Sequence, residues 1–172
     1  IRLMGSLITK LEKRLLVKGA ERNEKREFRQ GILLTAIVLS STLAITSFLL
    51  LMAYRLHYSV GIIVETLMTY QILATKCLKV ESMKVYKCLK NQDLEGARKA
   101  VSMIVGRDTD ILNEEEIVKA TIETVAENTS DGIIAPMLYT ALGAPILGFL
   151  YKGVNTMDSM IGYKNDSYLY FG

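Results

Sequence analysis

The chain has 172 residues, half of them hydrophobic, and a formal net charge of +3: enough sequence for one domain, with an ordinary apolar content. His57 is the only histidine, which excludes a His-built zinc or iron site; Cys77 and Cys88 form no CxxC pair and, about 16 Å apart along a helix, are too far apart to bridge within one. The charge is unevenly spread: residues 1–30 hold nine Lys/Arg against four Glu, a net +5, and leave −2 for the remainder. No aromatic residues interleave those charges in the way base stacking requires, so no nucleic acid is expected as a partner.

In chain order, residues 3–18 place Leu3, Leu7, Ile8, Leu11 and Leu15 at helical spacing, which predicts an amphipathic helix with a basic face. Whether it lies on a membrane surface or packs on the core is left open by the pattern. Residues 20–30 are expected to continue as helix into the next segment, so that 1–30 form a basic amphipathic N-terminal region. From Gly31 to Tyr54 there are 24 residues without a formal charge, about 36 Å of helix against about 30 Å of bilayer hydrocarbon. The polar side chains in this run are hydroxyls, which bond back to helix carbonyls. A second apolar stretch, 58–74, is interrupted by Glu65; with the first it is read as a transmembrane hairpin over 31–74, turning at Arg55–His57. An unpaired carboxylate near the centre of such a helix costs about 2.5–3.5 kcal/mol, so Glu65 should face the bundle. The flanking positive charges put residues 1–30 on the cytoplasmic side.

Lys76, Lys79, Lys84, Lys87 and Lys90 return the chain to that side, opening a cytoplasmic helical region over 75–131. Asp93 is placed to cap a helix over 94–105, with Gly106 as its stop, and Asn113 with Glu116 has the form of a capping box for a helix over 114–127. Residues 132–172 carry a third uncharged stretch, 133–150, followed by a polar motif. Pro136, Gly143, Pro145 and Gly148 suit a lone lipid-facing helix poorly, so this stretch is expected to be re-entrant, broken or buried in the bundle. The fold class is all-α, an integral membrane helical bundle in one membrane-associated domain. The chain opens on Ile1 rather than Met and is read as a fragment or processed chain.

Three stretches have the residue types for chemistry. Glu123 and Glu127 share a helix face, and Asn128 and Asp131 follow at the expected C-terminal end, where the dipole disfavours anions. The cluster is either a solvated acidic helix end or a site for a hard cation such as Mg²⁺, which takes oxygen ligands and substrate phosphates. Arg107, Asp108 and Thr109 form a loop that is either a structural Arg–Asp pair or a phosphate or carboxylate clamp. Lys152 with Asn155, Asp158 and Ser159 is either a polar helix cap or a substrate-facing motif.

The segments IVGRDT (104–109), IETVAEN (122–128), DGIIAP (131–136), YKGVNTMDSMIGY (151–163) and the closing YFG, with IRLMGSLI at 1–8, resemble in order and spacing the signature segments of the CobD/CbiB family, the adenosylcobinamide-phosphate synthases. The resemblance implies a membrane enzyme of cobalamin biosynthesis. Its expected reaction is ATP-dependent amide ligation of adenosylcobyric acid with aminopropanol phosphate, using Mg²⁺, with the site loops cytoplasmic and the chain multi-pass in the cell membrane. On that reading Glu123, Glu127, Asp131 and Asp158 are the catalytic candidates. Glu127, Asp131 and Asp158 are the Mg²⁺ candidates. Arg107, Asp108, Thr109, Asn128, Lys152, Asn155 and Ser159 are candidates for holding substrate. The implied partners are the corrinoid, the amino-alcohol phosphate, ATP and membrane lipid, with other corrinoid-pathway enzymes as further candidates. Two other readings use the same residues: a Mg²⁺-dependent membrane phosphotransferase, and a non-catalytic membrane anchor for corrinoid-pathway enzymes.

Overall fold

The computed structural model describes residues 2–16, 23–73, 75–106, 108–165 and 168–172. Every regular element among them is helical: α1 (Arg2–Leu15), α2 (Glu24–Leu56), α3 (Tyr58–Ile72), α4 (Thr75–Lys90), α5 (Leu94–Ser102), α6 (Glu114–Thr129), a π-helical turn (Ser130–Ile134) and α7 (Ala135–Ile161). The chain divides into two compact units, one of Ile1–Ile72 with Leu138–Gly172 and one of Leu73–Met137.

The first unit is organised by α2. Its 33 residues make about 50 Å of helix, long and apolar enough to cross a bilayer. Asn23 caps it, the side-chain oxygen accepting the Arg26 N–H at 3.2 Å, so the helix starts at Glu24; the part of the expected helix over residues 20–22 lies outside the described residues. Leu34, Val38, Thr42 and Thr46 form its buried stripe, while Ile32, Leu33, Leu43, Ile45, Phe48 and Leu49 are exposed. The Thr46 hydroxyl donates to the Thr42 carbonyl at 2.7 Å, so this polar group carries its own partner into an apolar setting. After His57, α3 returns for only 15 residues, about 22 Å, short of a full hydrocarbon thickness. Tyr54 donates a hydrogen bond to Glu65 across this hairpin, which answers the cost of the carboxylate. Gly61 lies directly under the Tyr54 ring, where any side chain would collide.

Helix α7 is broken. Gly143 and Ala144 leave helical geometry, Ala144 at φ 54° and ψ −169°, a region that costs a residue with a Cβ about 1–3 kcal/mol. The two arms fold back on one another. The Thr140 Cβ stands 3.5 Å from where a Cβ on Gly148 would be, whereas eight residues of unbroken helix would separate them by about 12 Å. Tyr139 and Tyr151 stack across the arms with ring centroids 4.9 Å apart. The second arm then runs along α2 toward its basic end. Gly148 meets Ile72, Gly153 meets Leu39 and Met4, and Met157 and Ile161 join the core of Ile8, Leu34 and Val38. Helix α1 belongs to the same core through Leu7, Ile8, Leu11 and Leu15, so its apolar stripe packs on protein. The closing turn seals it: the Phe171 carbonyl occupies the space beside Gly31, and the Tyr168 hydroxyl donates to Glu12 at 2.7 Å.

The second unit packs α4, α5 and α6 around Val85, Ala97, Val101, Ile117 and Ala120. Asp93 caps α5 by accepting the Gly96 N–H at 2.8 Å. The Asn113–Glu116 capping box is formed in both directions, at 3.0 and 2.8 Å. Helix α5 ends at Ser102, earlier than the stop suggested by Gly106. Ile104 and Val105 leave the helix to pack against the same core, and Arg98 Nε holds the Leu112 carbonyl at 2.8 Å, which turns the chain back. Helix α6 does not end at residue 127. It passes through the π turn into α7, so its acidic residues do not sit at a free C-terminus and the dipole penalty expected there does not arise.

Gly148→Val should open the hairpin of α7, because a side chain there would sit 2.7 Å from Ile72 Cδ1 as well as on Thr140. A loss of about 1–3 kcal/mol, read as a lower thermal midpoint of the full-length protein in detergent, is expected; an unchanged midpoint would contradict the fold-back. Tyr168 is held above its ordinary value near 10, first by its hydrogen bond to Glu12 and then by burial. Its proton is bound more tightly in the folded state, so the stabilisation is complete below the ordinary tyrosine range and fades as pH rises through the raised value. The stability difference between wild type and Tyr168→Phe should therefore shrink as pH rises past about 10, as measured by denaturation at a series of alkaline pH values.

Candidate functional site

Of the residues singled out from the sequence, Arg107 lies outside the described residues. In the second unit, Asp108 is exposed and its carboxylate accepts the Asp110 N–H at 3.1 Å, a local turn. Thr109 is 2% exposed and its hydroxyl donates to the Arg98 carbonyl at 3.1 Å. That bond already commits the Thr109 hydroxyl and pins the loop to α5. Glu123 and Glu127 are exposed one turn apart on α6. Asn128 uses its amide to donate to the Thr124 carbonyl at 3.0 Å, which leaves its side-chain oxygen available.

Asp131 is half-buried within the π turn, where the Ala135 N–H reaches back to the Ser130 carbonyl and Gly132 is buried. Turns of this kind widen a helix locally and recur at functional sites. They bring residue i+5 rather than i+4 into backbone register, so the side chains after Asn128 are displaced from the face an α-helix would give them. Helical periodicity could not reveal this. The Asp131-Gly132 pair is the one sequence signal, and it reads equally well as a simple turn.

In the first unit, Lys152, Asn155, Thr156 and Ser159 fall at i, i+3, i+4 and i+7 of α7's second arm, with Asp158 exposed beside them. Lys152 is 9% exposed. Thr156 donates to the Lys152 carbonyl at 2.6 Å, Ser159 donates to the Asn155 carbonyl at 2.8 Å, and the Tyr163 hydroxyl donates to the Ser159 carbonyl at 2.9 Å. The opposite face, Gly153, Met157 and Ile161, is the one packed on α1 and α2. The polar face therefore stands at the basic end of α2. Gly162 ends the arm with its N–H on the Asp158 carbonyl at 2.9 Å, and a Cβ there would stand 2.6 Å from the Asp158 carboxylate.

Among the described residues, no group of three or more His, Cys, Asp or Glu side chains gathers closely enough to hold a metal ion. Mg²⁺ is commonly held by one or two protein carboxylates with water and substrate phosphates, so Glu127 with Asp131 in the second unit, or Asp158 in the first, fits its chemistry without such a group. These are hard oxygen donors of the type Mg²⁺ takes.

A match to the family described as CobD/Cbib protein covers residues 1–172. Curated relatives named "Cobalamin biosynthesis protein CobD" include those of Listeria monocytogenes serovar 1/2a, 48% identical over 83% of this chain and 45% of its own length, and Halalkalibacterium halodurans, 45% identical over 98% and 51%. That of Clostridium perfringens is 44% identical over 100% of this chain and 53% of its own length. The chain thus spans about half the length of the curated relatives it matches. No solved structure matches it. With the family matched from the first residue to the last, and relatives close to half identical across nearly all of it, the chain belongs to the CobD/CbiB family.

Proposed function

We propose that this chain is part of an enzyme of cobalamin biosynthesis. Its reaction is the ATP-dependent joining of adenosylcobyric acid to aminopropanol phosphate, giving adenosylcobinamide phosphate. The observation that carries the reading is the family match over all 172 residues, together with relatives named for cobalamin biosynthesis. The amide-forming step follows from the family resemblance and from residue chemistry.

The reaction needs a carboxylate made electrophilic. Transfer of the γ-phosphoryl group of ATP to the corrinoid carboxylate gives an acyl phosphate and ADP. The amine then attacks the acyl carbon, phosphate leaves, and the ammonium proton passes to a base. Mg²⁺, when bound, neutralises charge on the phosphates. In the second unit Glu127 and Asp131 supply oxygen ligands for it, and Glu123 is a candidate base. In the first unit Lys152 and Asn155 hold phosphate or amide groups, and Ser159 and Asp158 orient the substrate or accept a proton. In this reading the chain is multi-pass in the cell membrane with these groups on the cytoplasmic side, where ATP is found.

Glu127→Gln and Asp158→Asn in the full-length protein should each lower turnover on the order of a hundredfold with assembly intact, scored as amide product from adenosylcobyric acid, ATP and aminopropanol phosphate. Unchanged turnover in both would leave a membrane anchor as the better reading, and a phosphodiester product would favour a phosphotransferase. For topology, a Ser159→Cys chain lacking Cys77 and Cys88 should react with an impermeant maleimide in inside-out vesicles and stay unlabelled in intact cells. The reverse pattern would end the cytoplasmic assignment.

A further inference from the structure

We infer that the first turns of α2 hold the phosphate headgroup of an anionic phospholipid. A groove of about 430 Å³ lies there, lined among the described residues by Asn23, Lys25, Arg26, Arg29, Gln30 and Leu33. Three of those six side chains are cationic and none is a carboxylate. None of the three cations is ion-paired among the described residues. Glu24 and Glu27 stand on the same turns but outside the lining, so an anion in the groove meets the three cations. Arginine guanidinium groups match phosphate oxygens in pairs of hydrogen bonds, and the amides of Asn23 and Gln30 add donors.

A soluble phosphate offers the same headgroup chemistry, but the surroundings favour lipid. The groove runs down onto Leu33, 48% exposed, and Ile32 beside it is 54% exposed. Both belong to the outward apolar surface of α2, where acyl chains would lie. Phe28, 61% exposed, stands at the same level, the position aromatic side chains favour at a membrane boundary. A charged head above an uncovered apolar strip suits an amphiphile and leaves a free nucleotide or phosphate half unmatched.

The inference rests on the reading that α2 spans a membrane, and the test separates the two. The full-length protein is reconstituted into vesicles of equal parts phosphatidylcholine and phosphatidylglycerol, extracted in neutral detergent, and its retained lipid counted by native mass spectrometry. Each Lys or Arg near an anionic surface contributes roughly fivefold, so the wild type should prefer phosphatidylglycerol on the order of a hundredfold and Lys25→Gln/Arg26→Gln/Arg29→Gln should fall toward parity. Arg2→Gln/Lys10→Gln/Lys13→Gln removes the same charge from α1 and should keep the preference. An unchanged groove variant overturns the site. An equal loss in the α1 variant overturns it too, because bulk charge then explains the binding. Preference abolished by millimolar pyrophosphate would identify a soluble phosphate as the occupant and overturn the lipid assignment. Release of the wild type from native membranes by alkaline washing would overturn the membrane reading and the site with it.

Discussion

Gly148 has no side chain, and the space where one would begin is taken by Thr140 and Ile72. That close approach decides what an apolar stretch of this length does. A straight helix through residues 135–161 would be about 40 Å long and would carry the Lys152–Ser159 face across a bilayer. Folded at Gly143–Ala144, the same residues double back and run along α2 to its basic end. A backbone break inside hydrocarbon leaves carbonyls and N–H groups without helix partners, which is tolerated only where protein surrounds it. Here the returning arm has α2, the end of α3 and α1 to pack on. The position of the polar motif along α2 is thus set by a packing contact that no single motif residue makes.

The same dependence on close packing appears near the turn between α2 and α3. A carboxylate in a short apolar helix is unfavourable, and Glu65 is matched by the one phenol that the tight turn at His57 brings opposite it. Gly61 lets that ring lie flat against α3. Ser41, Thr46 and Thr66 bond back to carbonyls of their own helix, and Glu65 is met across the hairpin. Thr140 differs, its buried oxygen having no hydrogen-bond partner at the fold-back. Such a group destabilises the closed arms by the desolvation it suffers.

What can be read from the residues alone follows from how local each signal is. The caps at Asp93 and Asn113 are legible because a cap is decided by three or four neighbouring residues, and both form. The uncharged run of 31–54 is legible because length and charge alone fix it. The family signatures are legible as ordered strings. The start of α2 escapes such a reading because Asn23, an ordinary residue within a charged stretch, wins the cap. The end of α5 escapes it because Gly106 competes with burial of Ile104 and Val105, and removing that apolar surface from water outweighs a local stop signal. The π turn escapes it for a deeper reason: it inserts one residue into a helical period, and periodicity is what reveals a helix in a sequence.

Those differences change how the candidate residues should be weighed. Thr109 sits in a signature string, yet its hydroxyl is buried and committed to Arg98, and Phe171 of the closing YFG is buried against Gly31. Such positions hold backbone in place, and substituting them would damage activity by way of folding. Glu127, Asp131 and Asp158 differ. Glu127 and Asp158 are exposed and Asp131 half-buried, with Asp131 on a turn whose geometry departs from the regular helix around it. A carboxylate displayed to solvent costs little to keep and little to lose, so any large effect of replacing one with its amide has to come from chemistry. Activity and stability measured on the same variants therefore separate the signature residues that build the fold from those that use it.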